Sequence, residues 1–252
     1  AEGWRKRPEG KPFFALINLM QTHESGVMRA DGKSYGQSHS QTQRMRTAMG
    51  LVAPSVTDPA DLTLPPYYPD LPEIRADLAR HYDNIHAMDR RIGEILRALR
   101  EDGLANTTLV IWTSDHGDGL PRAKRELYDS GIRVPMLVKQ PGQTTAATND
   151  RLISFVDLAP TLYRITGGAN PPAYWHGNDF LEPISPPRDY IYASRDRIDE
   201  VIDRQRAVRD ERFKYIRSYY PQVPGGHALD YRDNLDMVRA WRSAFAAGNL
   251  DP

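Results

Sequence analysis

The chain contains no cysteine among its 252 residues. Disulfide bonds, thiolate metal sites and cysteine nucleophiles are therefore excluded. The chain also lacks an excess of either charge, because 33 Lys and Arg side chains balance 33 Asp and Glu side chains. A nucleic-acid-binding protein usually carries a basic excess, so the balance argues against that class of partner.

Long apolar runs are missing as well. No stretch of 18 apolar residues occurs, so we expect no transmembrane helix. Residues 1–11 are polar, and they contain neither the apolar centre of a signal peptide nor an initiating methionine. We interpret the chain as processed or truncated. Its hydrophobic content of 40% is enough for the core of one large domain, or of a domain with a small appendage.

The hydrophobic pattern predicts an α/β layer in the first two thirds of the chain. Short apolar runs predict three buried strands, at 12–20, 107–113 and 134–141. Residues 29–72 are polar and then proline-rich, and they predict a long surface excursion. Apolar residues recur at helical spacing from Ile74 to Leu99, with Asp70 as the predicted N-cap and Gly103 as the stop. A shorter helix is predicted at 155–167. This order favours a mostly parallel sheet flanked by helices.

After residue 170 the pattern is that of a small α+β subdomain. Alternating side chains predict antiparallel strands at 190–194, 204–210 and 212–220, with the segment DERF as a hairpin turn. A closing helix is predicted at 237–248. We therefore predict an α/β core over residues 1–170 and an antiparallel α+β subdomain over residues 171–252.

The segment TSDHGDGLPRAK places Asp115 and His116 directly after the predicted strand 107–113. Ligands of α/β sheets bind at the carboxyl ends of the strands. A carboxylate and an imidazole at such an end can present two ligands to one cation, and Lys124 could balance an anion bound to that cation. The alternative is that Asp115 caps a turn and His116 is simply exposed.

The wider segment TTLVIWTSDHGDGLPRAKRELYDSGIRVPMLVKQPG resembles the sulfatase family of the alkaline-phosphatase superfamily. That family has a strand, then Ser/Thr-Asp-(Asn, Gln or His)-Gly, a basic residue and Tyr-x-x-Gly-x-x-Val-Pro, here YDSGIRVP. PFFALINLMQTH, YDNIHAMDRRIGEILRALREDGLANTTLVIW and SFVDLAPTLYRITG resemble further segments of the family. The resemblance covers most of residues 11–217 and implies a partial alkaline-phosphatase-like fold. YYPDLPEIRADLARHYDNIHAMD and LPRAK are similar to the heparan N-sulfatase (sulfamidase) branch.

The resemblance implies roles for four residues. Asp115 and His116 match the second pair of metal ligands, and the metal is usually Ca²⁺. A carboxylate suits calcium, whereas an imidazole suits softer ions, so a transition metal stays open. Lys124 matches the cation that contacts the sulfate. His23 matches the histidine that binds sulfate and protonates the leaving oxygen or nitrogen, although a loop histidine by itself would be interpreted as exposed.

The charged segment 194–221 resembles the sulfatase C-terminal subdomain, which closes over the active site. Its first charged residues are predicted to bind substrate: Arg195, Arg197, Asp199 and Glu200. The alternative is a solvated, salt-bridged face. The remaining histidines are not predicted to be site residues, and they are His39, His81, His86, His176 and His227.

Two elements of the sulfatase pattern are missing from the sequence. The family has an N-terminal Asp-Asp metal pair and a Cys/Ser-x-Pro-Ser-Arg motif, whose Cys or Ser becomes the formylglycine nucleophile. SPPRD at 185–189 has the wrong spacing and place, and no Asp-Asp pair precedes His23. The resemblance therefore implies the C-terminal portion of a sulfatase, without its nucleophile and inactive or very weakly active by itself.

The implied function is hydrolysis of sulfuric esters or sulfamates in sulfated carbohydrate, such as glycosaminoglycan. The expected cofactors are one divalent cation and a formylglycine in the missing portion, and the expected location is periplasmic, extracellular or lysosomal. Two alternatives stay open. One is a phosphodiesterase or phosphonate monoester hydrolase of the same superfamily, and the other is a non-catalytic module that binds sulfated glycan.

Overall fold

The computed structural model describes residues 3–28, 37–182, 185–223 and 225–250, without the side chains of 37–40. Contacts divide the chain into two compact units, Ala1–Gln143 with Gly226–Pro252 and Thr144–Gly225. The first unit contains α1 (Gln37–Ala48), α2 (Pro72–Glu101), β1 (Val110–Thr113), α3 (Asp129–Ile132), β2 (Met136–Lys139) and α5 (Asp236–Ala246). The second contains α4 (Leu158–Ile165), β3 (Ile191–Ile198), β4 (Val201–Arg209) and β5 (Lys214–Ser218).

Helix α2 confirms the predicted long helix, but its first turn differs from the prediction. Pro72 occupies the first turn, where its fixed φ suits a helix and its missing N–H costs nothing. The N-cap position is Leu71, without a side-chain cap. The predicted cap, Asp70, is wrong, because its carboxylate instead accepts two hydrogen bonds from Arg75 at 2.5 and 2.8 Å. Gly103 adopts a φ of 69° just after the helix, as expected of a helix stop.

The core of the first unit lies between α2 and α5. Ile74 and Met237 are fully buried there, in one apolar cluster. Asp77 is also fully buried, and its Oδ2 accepts a hydrogen bond from the backbone N–H of Met237 at 2.8 Å. Because the N-cap residue of α5, Leu235, has no side-chain cap, Asp77 supplies one from α2. Burial raises the pKa of Asp77 to about 6, although Arg80 beside it acts in the opposite direction.

This packing brings the closing helix, predicted to belong to a subdomain at 171–252, into one unit with α2. The division of the chain into two compact units therefore differs from the predicted domain boundary at residue 170. As a boundary between family domains, residue 170 stays a prediction. Among the described residues, no helix is both long enough and apolar enough to cross a membrane.

Two of the three strands predicted in the first unit are present. β1 and β2 pair with Val110 opposite Lys139 and Thr113 opposite Met136. The pairing is antiparallel, so the parallel pairing predicted for this layer is not formed among the described residues. The predicted buried strand at 12–20 is wrong for this structure. That segment is extended but pairs with no described strand, and Phe14 and Leu16 are 77% and 78% exposed.

The sheet of the second unit has the order β3-β4-β5 and is antiparallel throughout, as predicted. A register shift between Arg195 and Arg197 marks a β-bulge in β3. The DERF turn joins β4 to β5, with the N–H of Asp210 bonded to the carbonyl of Phe213 at 3.0 Å. Before α4, Ser154 and Asp157 form a reciprocal capping box, which satisfies two backbone N–H groups of the helix start.

Candidate active site

His23 lies at the start of a short 3-10 helix, Glu24–Gly26, where the ring caps the turn. Its Nδ1 accepts a hydrogen bond from the backbone N–H of Ser25 at 3.3 Å and lies 2.8 Å from the Ser25 hydroxyl. This bond assigns the proton of the neutral ring to Nε2. The ring therefore presents an N–H donor away from its own backbone.

Helix α1 holds the His23 loop in place through two buried polar side chains. Gln43 donates to the carbonyl of Ser25 at 2.8 Å. Arg46, 5% exposed, donates to the carbonyls of Met20 and Gln21 at 3.0 Å each. Because several hydrogen bonds fix the loop from outside it, the orientation of the His23 ring does not depend on the loop alone.

Glu24 connects this loop to the segment that carries Lys124. Its side chain is 1% exposed, with Oε1 2.9 Å from Arg125 Nη1 and Oε2 3.4 Å from Lys124 Nζ. The backbone of Glu24 packs against Gly119, where an added Cβ would lie 2.7 Å from the Glu24 Cα. One buried carboxylate therefore holds two cations beside His23. Neither Glu24 nor Arg125 was predicted from the sequence, although each directly follows a predicted site residue, His23 or Lys124.

The turn that contains Lys124 has a constrained backbone. The N–H of Lys124 closes it by donating to the carbonyl of Asp118 at 2.9 Å. Arg122 and Arg125 adopt φ angles of 65° and 74°, a region that side chains other than glycine rarely occupy. Such conformations cost of order 1–3 kcal/mol each and concentrate at functional sites.

Asp115 and His116 follow β1, as predicted. His116 Nδ1 lies 2.7 Å from the carbonyl of Gly117, so this nitrogen carries the donated proton and Nε2 keeps a lone pair. His116 Nε2 lies 3.6 Å from Asp115 Oδ2, and the Asp115 side chain is 85% exposed. Gly117 is required at the turn, because an added Cβ would lie 1.8 Å from the carbonyl oxygen of Ser130.

The two donor atoms face each other from the accessible side of the turn, an arrangement that fits two ligands of one divalent cation. Among the described residues, no group of three or more His, Asp or Glu side chains is placed to hold a metal ion. Two candidate donors are less than a complete set of ligands for Ca²⁺ or for a transition metal, and the metal role of Asp115 and His116 stays a prediction.

His81 contacts Asp118 and is not one of the two candidate metal donors. Its ring is buried on α2, and its Nε2 lies 3.2 Å from Asp118 Oδ1. The hydrogen bond from His81 lowers the pKa of Asp118, while burial acts in the opposite direction. This contact fixes the turn that leads to Lys124. Of the other histidines, His39 has a side chain outside the described set, and none is assigned to the site.

The electrostatics of His23 show which predicted residues come together. Burial lowers the pKa of His23, and the Lys124 ammonium lowers it further. Glu24 raises it, while His116 adds a smaller lowering effect. His23, Lys124 and His116 therefore lie within electrostatic reach of one another, and His23 is mainly neutral at neutral pH.

The four residues predicted to bind substrate lie in the second unit. The side chain of Arg195 is 6% exposed and forms an ion pair with Asp203. Arg197 is exposed and donates to the carbonyls of Asp199 and Glu200, at 3.4 and 2.9 Å. Asp199 has a φ of 47° at the β3–β4 turn. The guanidinium of Arg195 is thus committed within the sheet, and substrate binding by this group stays a prediction.

Comparison with known proteins identifies relatives for most of the chain. The family profile described as Sulfatase matches residues 1–169, and the profile described as N-sulphoglucosamine sulphohydrolase, C-terminal, matches residues 122–235. An ulvan-active sulfatase of Formosa agariphila is 38% identical over 98% of this chain and 44% of its own length. Human N-sulphoglucosamine sulphohydrolase is 32% identical over 61% of this chain and 31% of its own length. The chain thus spans less than half the length of these two relatives.

A solved structure shows the same fold at low sequence identity. It is that of a Bacteroides fragilis protein described as a sulfatase, with a TM-score of 0.50 and 16% identity over 94% of this chain and 58% of the other. The likeness extends to the fold alone, and it agrees with the partial α/β architecture predicted from the sequence.

Proposed function

This chain belongs to the sulfatase family, and on that premise we propose that its first compact unit forms the sulfate-binding and leaving-group side of a hydrolase site. The substrate class is a sulfate ester or sulfamate of a sulfated carbohydrate. The observation that carries the proposal is the arrangement around Glu24, whose buried carboxylate contacts Lys124 while Lys124 lowers the pKa of His23.

Lys124 and His23 have complementary tasks. The Lys124 ammonium supplies positive charge for a tetrahedral anion, and the charge of that anion raises the pKa of the neighbouring His23. The protonated ring then donates from Nε2 to the leaving oxygen or nitrogen as its bond to sulfur breaks. In the protonated ring Nδ1 also carries a proton, and this N–H can donate a hydrogen bond to the Ser25 hydroxyl oxygen, 2.8 Å away, while Nε2 gives up its proton.

Asp115 Oδ2 and His116 Nε2 would hold the divalent cation of the site. When bound, the cation supplies Lewis-acid polarisation of a sulfate oxygen. The sequence has no cysteine and no Cys/Ser-x-Pro-Ser-Arg motif. We therefore assign the formylglycine nucleophile and the missing metal ligands to polypeptide outside these 252 residues, and we expect little turnover from the chain by itself.

A second candidate follows from the nitrogen donor of His116. Imidazole suits transition metals better than calcium, and such a metal would favour the phosphate or phosphonate ester hydrolases of the same superfamily. The two candidates predict different preferences between inorganic sulfate and inorganic phosphate at neutral pH.

The test is titration of the 252-residue chain with inorganic sulfate. NMR of the His23 ring measures its pKa, and calorimetry measures the affinity for sulfate. We expect sulfate to raise the pKa of His23, and Lys124→Gln to weaken sulfate binding about tenfold or more. Lys11→Gln is the matched control, because Lys11 is exposed and outside the site. Equal sulfate affinities of the two variants would overturn the proposal. Tighter binding of phosphate than of sulfate would favour the second candidate.

A further inference from the structure

The sheet of the second unit has one face that is largely buried and one that is exposed. The inner face carries the Arg195–Asp203 pair and Ala207, all of them buried. The outer face carries the alternate side chains Tyr192, Ser194, Arg204, Arg206, Tyr215 and Arg217. No role in the proposed hydrolysis has been assigned to these outer residues.

Two exposed aromatic rings lie in one row across this outer face. Tyr192 pairs with Val208, and Val208 pairs with Tyr215, so the two tyrosines are separated by two strand spacings. That separation is about 10 Å for neighbouring strands about 4.8 Å apart. Tyr192 and Tyr215 are 72% and 65% exposed, and the ring of Tyr190 lies beside that of Tyr192 with the centroids 6.4 Å apart. Large aromatic side chains grouped on an exposed face are typical of interaction surfaces. Flat amphipathic rings of this kind can stack on the apolar faces of sugar rings while their hydroxyls stay in water.

The charge of the outer face is positive. The one carboxylate that β3, β4 and β5 present on this face is Asp196, which lies 2.8 Å from Arg206 and 3.2 Å from Arg204. The third guanidinium, Arg217, lies over the ring of Tyr219 at 4.8 Å, without an ion pair among the described residues. Arg197, which pairs with Ile202 on the same side of the sheet, is a fourth arginine, so four arginines and one aspartate give the face an excess of positive charge next to its aromatic rings.

We propose that the outer face of β3–β4–β5 binds an anionic, sulfated polysaccharide, with Tyr192 and Tyr215 stacking on sugar rings and Arg217 pairing with sulfate groups. Guanidinium groups form bidentate, charge-assisted hydrogen bonds to sulfate oxygens, whereas a neutral glycan has no anionic group to form an ion pair with them. Arg197 opens the same face, because it pairs with Ile202 on the outer side of β4. The proposal concerns binding and does not depend on hydrolysis.

The test measures retention and affinity of the 252-residue chain on dextran sulfate and on neutral dextran. All variants are made in the Lys124→Gln background, so that sulfate binding near His23 does not contribute. The face variant is Tyr215→Ala with Arg217→Ala. The matched control is Tyr174→Ala with Arg90→Ala, which removes one exposed aromatic ring and one exposed arginine elsewhere. Far-UV circular dichroism and a melting curve accompany each variant, and Tyr215→Phe is added as a conservative change.

We expect dextran sulfate to bind and neutral dextran not to bind. The face variant should lose affinity about tenfold or more, which corresponds to about 1.4 kcal/mol, while the control and Tyr215→Phe keep it. Equal losses in the face and control variants would overturn the proposal, because they would indicate binding by total charge. A change of oligomeric state in the face variant would also overturn it, since the face would then cover a second copy of the chain. Inorganic sulfate binding tests the proposed hydrolase site separately.

Discussion

Replacement of Glu24 by Gln is the perturbation that tests the site most directly. Glu24 is 1% exposed, and its carboxylate contacts both Lys124 and Arg125, whose side chains are 18% and 13% exposed. Glutamine keeps the size of the side chain but removes its charge. Two largely buried cations would then lose the carboxylate that balances them.

The expected loss of stability follows from the burial of this cluster. Removal of one partner from a buried ion pair costs about 3–5 kcal/mol. Because the two cations keep some exposure, we expect a loss at the lower end of this range, about 3 kcal/mol. For a chain of this size, that loss lowers the melting temperature by about 6–12 °C. The pKa of His23 should fall further at the same time, because Glu24 is the neighbour that raises it.

Urea unfolding followed by circular dichroism measures the first effect, and NMR titration of the His23 ring measures the second. Glu9→Gln is the control, because Glu9 is exposed and lies outside the site. In the double variant with Lys124→Met, the loss should be smaller than the sum of the single losses. A free energy of unfolding within about 0.5 kcal/mol of the unchanged protein would refute the reasoning, as would a rise in the pKa of His23.

Three further predictions concern separate parts of the first unit. Lys124→Gln should raise the pKa of His23, because Lys124 lowers it, and an unchanged NMR titration of that ring would contradict the contact. Asp77 has a pKa of about 6 in the folded protein against an ordinary 3.8, because burial favours its neutral form. The protonated carboxyl therefore stabilises the fold below about pH 4, and this contribution, on the order of 3 kcal/mol, is lost as the pH rises through 6. Urea unfolding between pH 4 and 7 measures this, and Asp77→Asn should flatten that slope. Gly117→Ala should destabilise the chain strongly, because its Cβ would lie 1.8 Å from a backbone oxygen. The control is Gly93→Ala, in open space on α2, which should stabilise the chain by about 0.5–1 kcal/mol. A thermal melt measures both variants.

Much of the local structure was predictable because it depends on near neighbours along the chain. The helical spacing from Ile74 to Leu99 and the stop at Gly103 predicted α2, and alternation predicted β3, β4 and β5. Helix α1 was not predicted, since its polar sequence has no apolar stripe and its buried Gln43 and Arg46 bond to the His23 loop. An apolar run alone also misassigned residues 12–20, because a strand requires a partner to pair with.

The residue types of the site were legible in the sequence, whereas their electrostatic setting was decided by the fold. Motif order selected His23, Asp115, His116 and Lys124 through their resemblance to sulfatases. Glu24 escaped notice because its contact with Arg125 spans 101 positions of the chain. Local sequence determines which turns and helices form, but ion pairs and pKa shifts depend on distance and burial, which only tertiary packing defines.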